Sequence, residues 1–255
     1  MPRIRPIDHE ERLTLVDHLG ELRTRVFIAI SAFFAAFALC SWQNHLILAV
    51  VNHPLPANIP EPITFGVTEP FTTTLTNSAY FALMLALPVI IYQVYAFLLP
   101  AFSPMERRVA RPLILMAPVL FVAGVLFCYF VVLEPAIDFL ASFNSDEFNT
   151  QIRARDYYSF VYLTMAAMGL GFQLPIAVIA AVRLGITTPQ KLRKNRRYAI
   201  LVIAVLAALL PTIDPITLLL EMIPMIVLYE GSIWLATLLG PKEAPGVEIA
   251  PAEGG

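Results

Sequence analysis

Charge is scarce in this chain of 255 residues: Asp, Glu, Lys and Arg together make up 14%, against about a quarter in soluble domains. Hydrophobic residues make up 58%, which excludes an ordinary soluble domain and points to a bilayer. A net charge of -2 gives no basic footprint for nucleic acid. Cysteine is scarcer still. Cys40 and Cys128 sit in separate apolar runs, with no CxxC or Cys/His spacing. That excludes a sequence-local metal site or redox pair, and both read as small hydrophobes.

Catalytic signatures are missing as well. HEERL at 9–13 opens as a zincin helix does, but the second histidine is absent. There is no G-x-S-x-G, no glycine-rich phosphate loop, and no histidine within the predicted spans to activate either thiol. His45 and His53 fall in a proline-rich loop and read as solvated or locally capped side chains. The chain is therefore not expected to be an enzyme or to carry a metal or cofactor.

What is present is a series of six apolar runs, at roughly 26–43, 78–99, 112–133, 157–182, 198–211 and 216–239. No small-residue cleavage site closely follows the first, which reads as a retained span. The fold class is thus an all-α integral membrane protein of six transmembrane helices in a single domain, 1–240. The fifth run, YAILVIAVLAALL, reaches only about 20 Å at about 1.5 Å per residue, short of a hydrocarbon core of about 30 Å. Such a helix must be hidden by protein, or must thin the membrane around it.

Basic residues set the orientation, because positively charged loops stay on the cytoplasmic side. The connecting segments, from the amino terminus, carry five, none, three, two, six, none and one Lys or Arg. Both termini are therefore expected inside, and the plasma membrane is the expected location. Residues 44–77 lack basic residues and contain Pro54, Pro56, Pro60, Pro62 and Pro70, which predicts an ordered, proline-stiffened outer cap rather than a long helix. Residues 134–156 form a second outer stretch, and PTIDP at 211–215 a tight turn. The tail, 241–255, has no apolar periodicity and is expected to be disordered.

Two carboxylates stand out on the basic side: Glu21, in DHLGELRTR, and Glu106, in LLPAFSPMERR. Each has arginines beside it, so one reading is a local ion pair. The other is a site for a cationic partner, for which a guanidinium is suited because its planar fork donates two hydrogen bonds to one carboxylate. Within the membrane, GFQLP at 171–175 places an amide, Gln173, two residues before Pro175. That amide either bonds backbone freed by the proline or presents a polar spot to a visiting helix.

These segments carry a family resemblance. HLGELRTR at 18–25 resembles the H-L-x-E-L-R-x-R opening of TatC, the multispanning receptor of the twin-arginine protein translocase. YQVYAFLLPAFSPMERR at 92–108 is similar to that family's Y-Q-x-W-x-F-x-x-P-G-L-x-x-x-E-R-R, and GFQLP to its G-F-E/Q-x-P. PTIDPITLLLEMIPMIVLYE at 211–230 resembles its T-P-x-D-x-x-S-Q-x-x-x-x-x-P-x-x-x-x-Y-E. Tyr95 replaces the usual tryptophan, Ala101 and Phe102 replace Gly-Leu, and Thr217-Leu218 stand for Ser-Gln. Glu221, an acid where the pattern is apolar, lies on the same helix face as Leu218 and is a substitute for the lost amide.

The resemblance implies a cup-shaped bundle that binds signal peptides with two consecutive arginines. It also implies export of folded proteins with single-span TatA- and TatB-type partners and other TatC copies, driven by the proton motive force. Carried over by position, Glu21 and Glu106 receive the twin arginines. Leu19, Leu22, Arg23, Arg25, Phe97, Pro100, Arg107 and Arg108 shape that surface. Gln173, Pro175, Asp214, Thr217, Glu221 and Glu230 form a set of intramembrane polar or partner-contact positions. The runner-up reading is a small secondary transporter in which such polar residues line a solute or proton path, although no inverted repeat accompanies it. A scaffold without receptor function is a third.

Overall fold

A computed structural model describes residues 9–56, 59, 61–99, 104–143, 145, 147, 151–183, 185–208 and 214–239. Among these the chain is helical, with a single isolated β-bridge between Ile63 and Arg153. Helices α1 (His9–Trp42) and α2 (Asn44–Asn52) are followed by α3 (Glu69–Leu98) and α4 (Pro104–Phe127). A π-helical turn, Cys128–Val132, leads into α5 (Leu133–Ser142). Then come α6 (Ala154–Gly171), α7 (Leu174–Arg183), α8 (Pro189–Lys194), α9 (Arg196–Ala208) and α10 (Pro215–Leu239).

Five helical stretches are long and apolar enough to cross a membrane: His18–Trp42, Glu69–Leu98, Ala110–Ser142, Ala154–Arg183 and Pro215–Leu238. The sixth expected span is α9. It is helical where expected, but its 13 residues fall short by length alone.

Helix boundaries differ from the sequence reading in four places, each for a physical reason. The amino-terminal arm is helical from His9, continuous with the first span. Helix α3 begins at Glu69 instead of 78, because EPFTTTLTNS is polar on a face turned toward an internal cavity and not because it is loop. Helix α5 continues the third span past Glu134 and Asp138, burying Leu133, Ala136 and Ile137 at i, i+3, i+4 spacing. The outer cap contains α2 as well as proline-rich turns. The tail 241–255 and the turn residues 211–213 lie outside the described residues.

The cap is tied to the bundle by backbone acceptors. Ile63 N–H donates to Ile152 O and Ala154 N–H to Ile63 O, both at 2.9 Å. Tyr129 Oη donates to Val50 O and Tyr157 Oη to Val51 O, both at 2.8 Å. The buried Val51 carbonyl near the end of α2 thus finds a partner without water.

Packing is closest where α4 crosses α6. Gly124 on α4 faces Gly169 on α6, and a Cβ built on Gly124 would lie 2.8 Å from Met168 O and 2.9 Å from Gly169 Cα. Small residues let backbones approach in this way, which is how membrane helices gain dispersion contact without a hydrophobic drive. Pro88 in α3, Pro112 and Pro118 in α4, and Pro224 in α10 remain inside their helices, as neighbouring protein allows at membrane depth.

The buried side chains form two clusters. The larger runs from α1 to Ile176 and Ile179 of α7 and takes in Ala236 of α10, around Phe121, Leu133, Tyr162 and Met168. The smaller gathers Val178 of α7, Ile203 and Ala207 of α9, and Met225, Tyr229 and Ile233 of α10.

Candidate functional site

At the basic end of the bundle, α1 lies along α3, and Glu21 sits where they meet Gln93. Glu21 Oε1 accepts two hydrogen bonds from Arg25, one of them from Nε at 3.0 Å. Arg25 reaches across to donate to Gln93 Oε1 at 3.0 Å. Glu21 Oε2 faces only His18 Nδ1, at 3.8 Å, among the described residues. His18 in turn stacks on Phe97, with ring centroids 4.3 Å apart. The local ion pair expected from sequence is therefore formed, yet it uses one carboxylate oxygen and leaves the other facing outward. A half-exposed carboxylate of this kind can take a second guanidinium without first losing its arginine.

The surrounding residues are suited to a peptide with an apolar portion. Leu19 and Leu22 are exposed one helix step from Glu21, and Arg23 covers the Phe27 ring at 5.6 Å. Arg107 is partly buried on α4. Glu106 and Arg108 also lie on α4, but their side chains, and Pro100 entirely, fall outside the described residues. Sequence reasoning missed His18 and Gln93. Both stand inside the quoted motifs; the i, i+3 step from His18 to Glu21 is the signal that would have found the first, while Gln93 lies 68 residues from Arg25 and no local step links them.

The intramembrane positions do not form one site. At GFQLP the helix breaks between α6 and α7, ahead of Pro175, where Phe172 N–H donates to Met168 O at 3.0 Å and Gln173 N–H to Leu170 O at 2.9 Å. Pro175 has no N–H for the Gly171 carbonyl four residues back, where α6 ends, and it sits with Leu174 in the first turn of α7, where a missing N–H costs little. Gln173 is 8% exposed, and its Nε2 donates to Ala117 O at 3.1 Å. That acceptor lies on α4, beside Pro118, and is neither its own bent backbone nor a visiting helix. Gln173→Leu removes this link at a cost of about 0.6 kcal/mol, typical of interhelical bonds in membranes. A thermal unfolding series in detergent checks that value, and an export defect far larger than it predicts reports a contact with a partner.

On α10, Asp214 acts as the helix cap: its Oδ1 accepts from Thr217 N–H at 2.7 Å, with Pro215 at the first helical position. Thr217 and Glu221 follow at helical spacing on the same buried face, both 0% exposed. Glu221 has no hydrogen-bond partner for either oxygen among the described residues, and neither does Thr217 Oγ1. Leu218 is only partly buried, so Glu221 stands deeper than the side chain it was expected to replace. Glu230 departs from its expected midspan place. It is half exposed and accepts from Arg196 at 2.7 Å, which puts it at the level of the basic loop.

Among the described residues no cluster of His, Cys, Asp or Glu has metal-binding geometry. A family model described as Sec-independent protein translocase protein (TatC) matches residues 17–224, which include Glu21, the α6–α7 break and the Asp214 cap. The chain belongs to the TatC family. It is 34% identical to TatC of Carboxydothermus hydrogenoformans, over 93% of this chain and 98% of that one. It is also 34% identical to TatC of Escherichia coli, over 89% of each. A crystal structure of the twin-arginine translocase receptor TatC superposes with a TM-score of 0.73 at 33% identity, covering 87% of this chain and 98% of the other. The protein is accordingly a multi-pass membrane component of Sec-independent protein transport and not a catalyst. As a TatC it works within the Tat system.

Proposed function

We propose that this TatC is the subunit that receives twin-arginine signal peptides, binding them at the Glu21 end of α1. The observation that carries this reading is the free Oε2 of Glu21, held beside Arg25, Gln93 and the His18–Phe97 stack. One peptide guanidinium bonds this oxygen, and the second bonds Glu106 in the first turn of α4. Leu19, Leu22, Phe97 and Pro100 contact the apolar residues that follow the arginines, and Arg23, Arg25, Arg107 and Arg108 hold the carboxylates in register.

The same reading has six spans, both termini in the cytoplasm and the protein in the plasma membrane. The basic residues on alternate segments support it; α9 packs against α10 and α7 through Ile203 and Ala207 but leaves Ile200, Leu201, Val202, Val205 and Leu206 exposed, which favours a thinned bilayer around this short helix. TatA- and TatB-type single-span partners and other TatC copies dock on the membrane face of this end. Gln173, Thr217 and Glu221 each keep a buried oxygen without a partner, which suits a polar side chain on an inserted helix. Export of folded cargo draws on the proton motive force.

Site-specific photocrosslinking in native membranes tests the assignment. A photoreactive residue at position 21 or 106 is expected to capture a labelled precursor with two arginines, and to capture its twin-lysine version several-fold less. Equal capture of both would overturn the guanidinium site.

A further inference from the structure

At the end of α3 far from Glu21 a polar cavity of about 650 Å³, open on one side, lies between α3 and α6. From Gln93 to Glu69 is 24 residues of α3, about 36 Å at about 1.5 Å per residue, so this cavity stands a bilayer's width from the peptide site. Its walls are uncommonly rich in hydrogen-bond donors for a membrane protein: Thr73, Thr76, Asn77 and Ser159, with Arg153 and Arg155 at the mouth. Asn77 decides what it wants. The residue is 2% exposed, and its Nδ2 has no hydrogen-bond partner among the described residues. A buried amide N–H group left unpaired costs free energy that an acceptor from outside would recover.

Charge points the same way. Arg153 is committed to Glu69, its Nε donating to Oε1 at 2.6 Å, while Glu69 Oε2 takes the N–H groups of Phe65 and Gly66. That hydrogen bond, and then the carboxylate's charge, holds the guanidinium of Arg153 above its ordinary value. Arg155 makes no ion pair among the described residues and leaves the cavity with one positive charge in excess. Donors, an unpaired cation and an acceptor-hungry amide suit a phosphodiester.

The cavity is not closed below. Thr76 and Tyr80 belong both to it and to an apolar trough of about 550 Å³ between α1 and α3, walled by Ile30, Phe33, Phe34 and Leu83. The trough runs from Thr76 to Ile90. Those 14 residues are about 21 Å of helix, more than the roughly 15 Å of one hydrocarbon leaflet. A polar, cationic head site that opens directly onto an apolar channel of leaflet length has the shape of an amphiphile.

We propose that cavity and trough together hold one phospholipid, its phosphate on Arg155 and Asn77 Nδ2 and an acyl chain in the trough. The site is independent of the peptide-binding reading, being built from other residues, with its head at the other end of α3. Such a lipid would lie in the trough where α1 meets α3, and α1 has little other protein around it.

Native mass spectrometry of the full-length protein, delipidated and titrated with dioleoyl phosphatidylglycerol, tests this. One lipid per chain is expected to persist after detergent release. Arg155→Gln and Asn77→Leu are each expected to weaken retention about tenfold, as loss of a charged or buried donor does. Arg155 is exposed, so its variant keeps the fold even if the Asn77 variant does not. Unchanged retention in Arg155→Gln overturns the proposal. So does equal retention of diacylglycerol, which lacks the phosphate, or competition by inorganic phosphate alone as effective as competition by the lipid. Occupation of the cavity by a signal peptide, seen as crosslinks from position 77 to the peptide with no lipid retained, also overturns it.

Discussion

Replacing Glu21 by alanine is expected to lower the affinity for a twin-arginine peptide by about tenfold to a hundredfold, read by titration of a labelled peptide against the purified protein. Two effects add. The peptide loses a charged acceptor and leaves guanidinium donors unpaired. Arg25 loses the carboxylate that accepts two of its three hydrogen bonds, keeps only the neutral Gln93, and becomes an uncompensated positive charge facing the incoming arginines. The second effect makes the prediction specific, because removing Arg25 as well should restore part of the loss: Glu21→Ala with Arg25→Gln binds better than Glu21→Ala alone. If Glu21 served only as the helical partner of Arg25, peptide affinity would be unchanged in both, and the measurement separates the two roles without reference to export.

The second large effect lies far from any recognition surface. Gly124→Ala is expected to destabilise the protein by about 1 to 3 kcal/mol, the range for overpacking a tight core, seen as a lowered midpoint of thermal aggregation in detergent. Its new methyl would meet Met168 O at 2.8 Å, Phe172 Cγ at 2.8 Å and Gly169 Cα at 2.9 Å. Two of those three atoms are backbone and cannot rotate away, so α4 and α6 must separate. Gly231→Ala is the control: nothing lies within 4 Å of its Cβ. In a helix interior that change is worth up to about 1 kcal/mol in the opposite direction. Equal behaviour of the two variants would show that the α4–α6 crossing is looser than described.

The helices and the carboxylate at the head of α1 could be read from the chain because each rests on local pattern: apolar length, basic flanks, an acid four residues from an arginine. What escaped was long-range or two-sided. EPFTTTLTNS looked like loop because hydropathy cannot tell a segment that faces water from one that faces a polar cavity inside a helical bundle. The partner of Gln173 lies 56 residues away on α4, and that of Arg25 lies 68 residues away on α3. No periodicity announces either. Pro175 was read as a bend, and the helix breaks ahead of it, because the Gly171 carbonyl four residues back is the one that loses its N–H partner. Asp214 and Glu230 looked like members of one intramembrane set. A helix cap and an ion pair at the basic loop have claimed them separately.

The buried core also divides unequally. The smaller cluster, resting on six buried side chains around α7, α9 and α10, is the one whose local opening costs less. Helix α7 faces both clusters, with Ile176 and Ile179 in the larger and Val178 in the smaller, and Ala236 ties the end of α10 to the larger. A translocase subunit built this way can loosen α9 while α7 and α10 stay anchored in the larger cluster, so rearrangement there does not require the rest of the bundle to unfold.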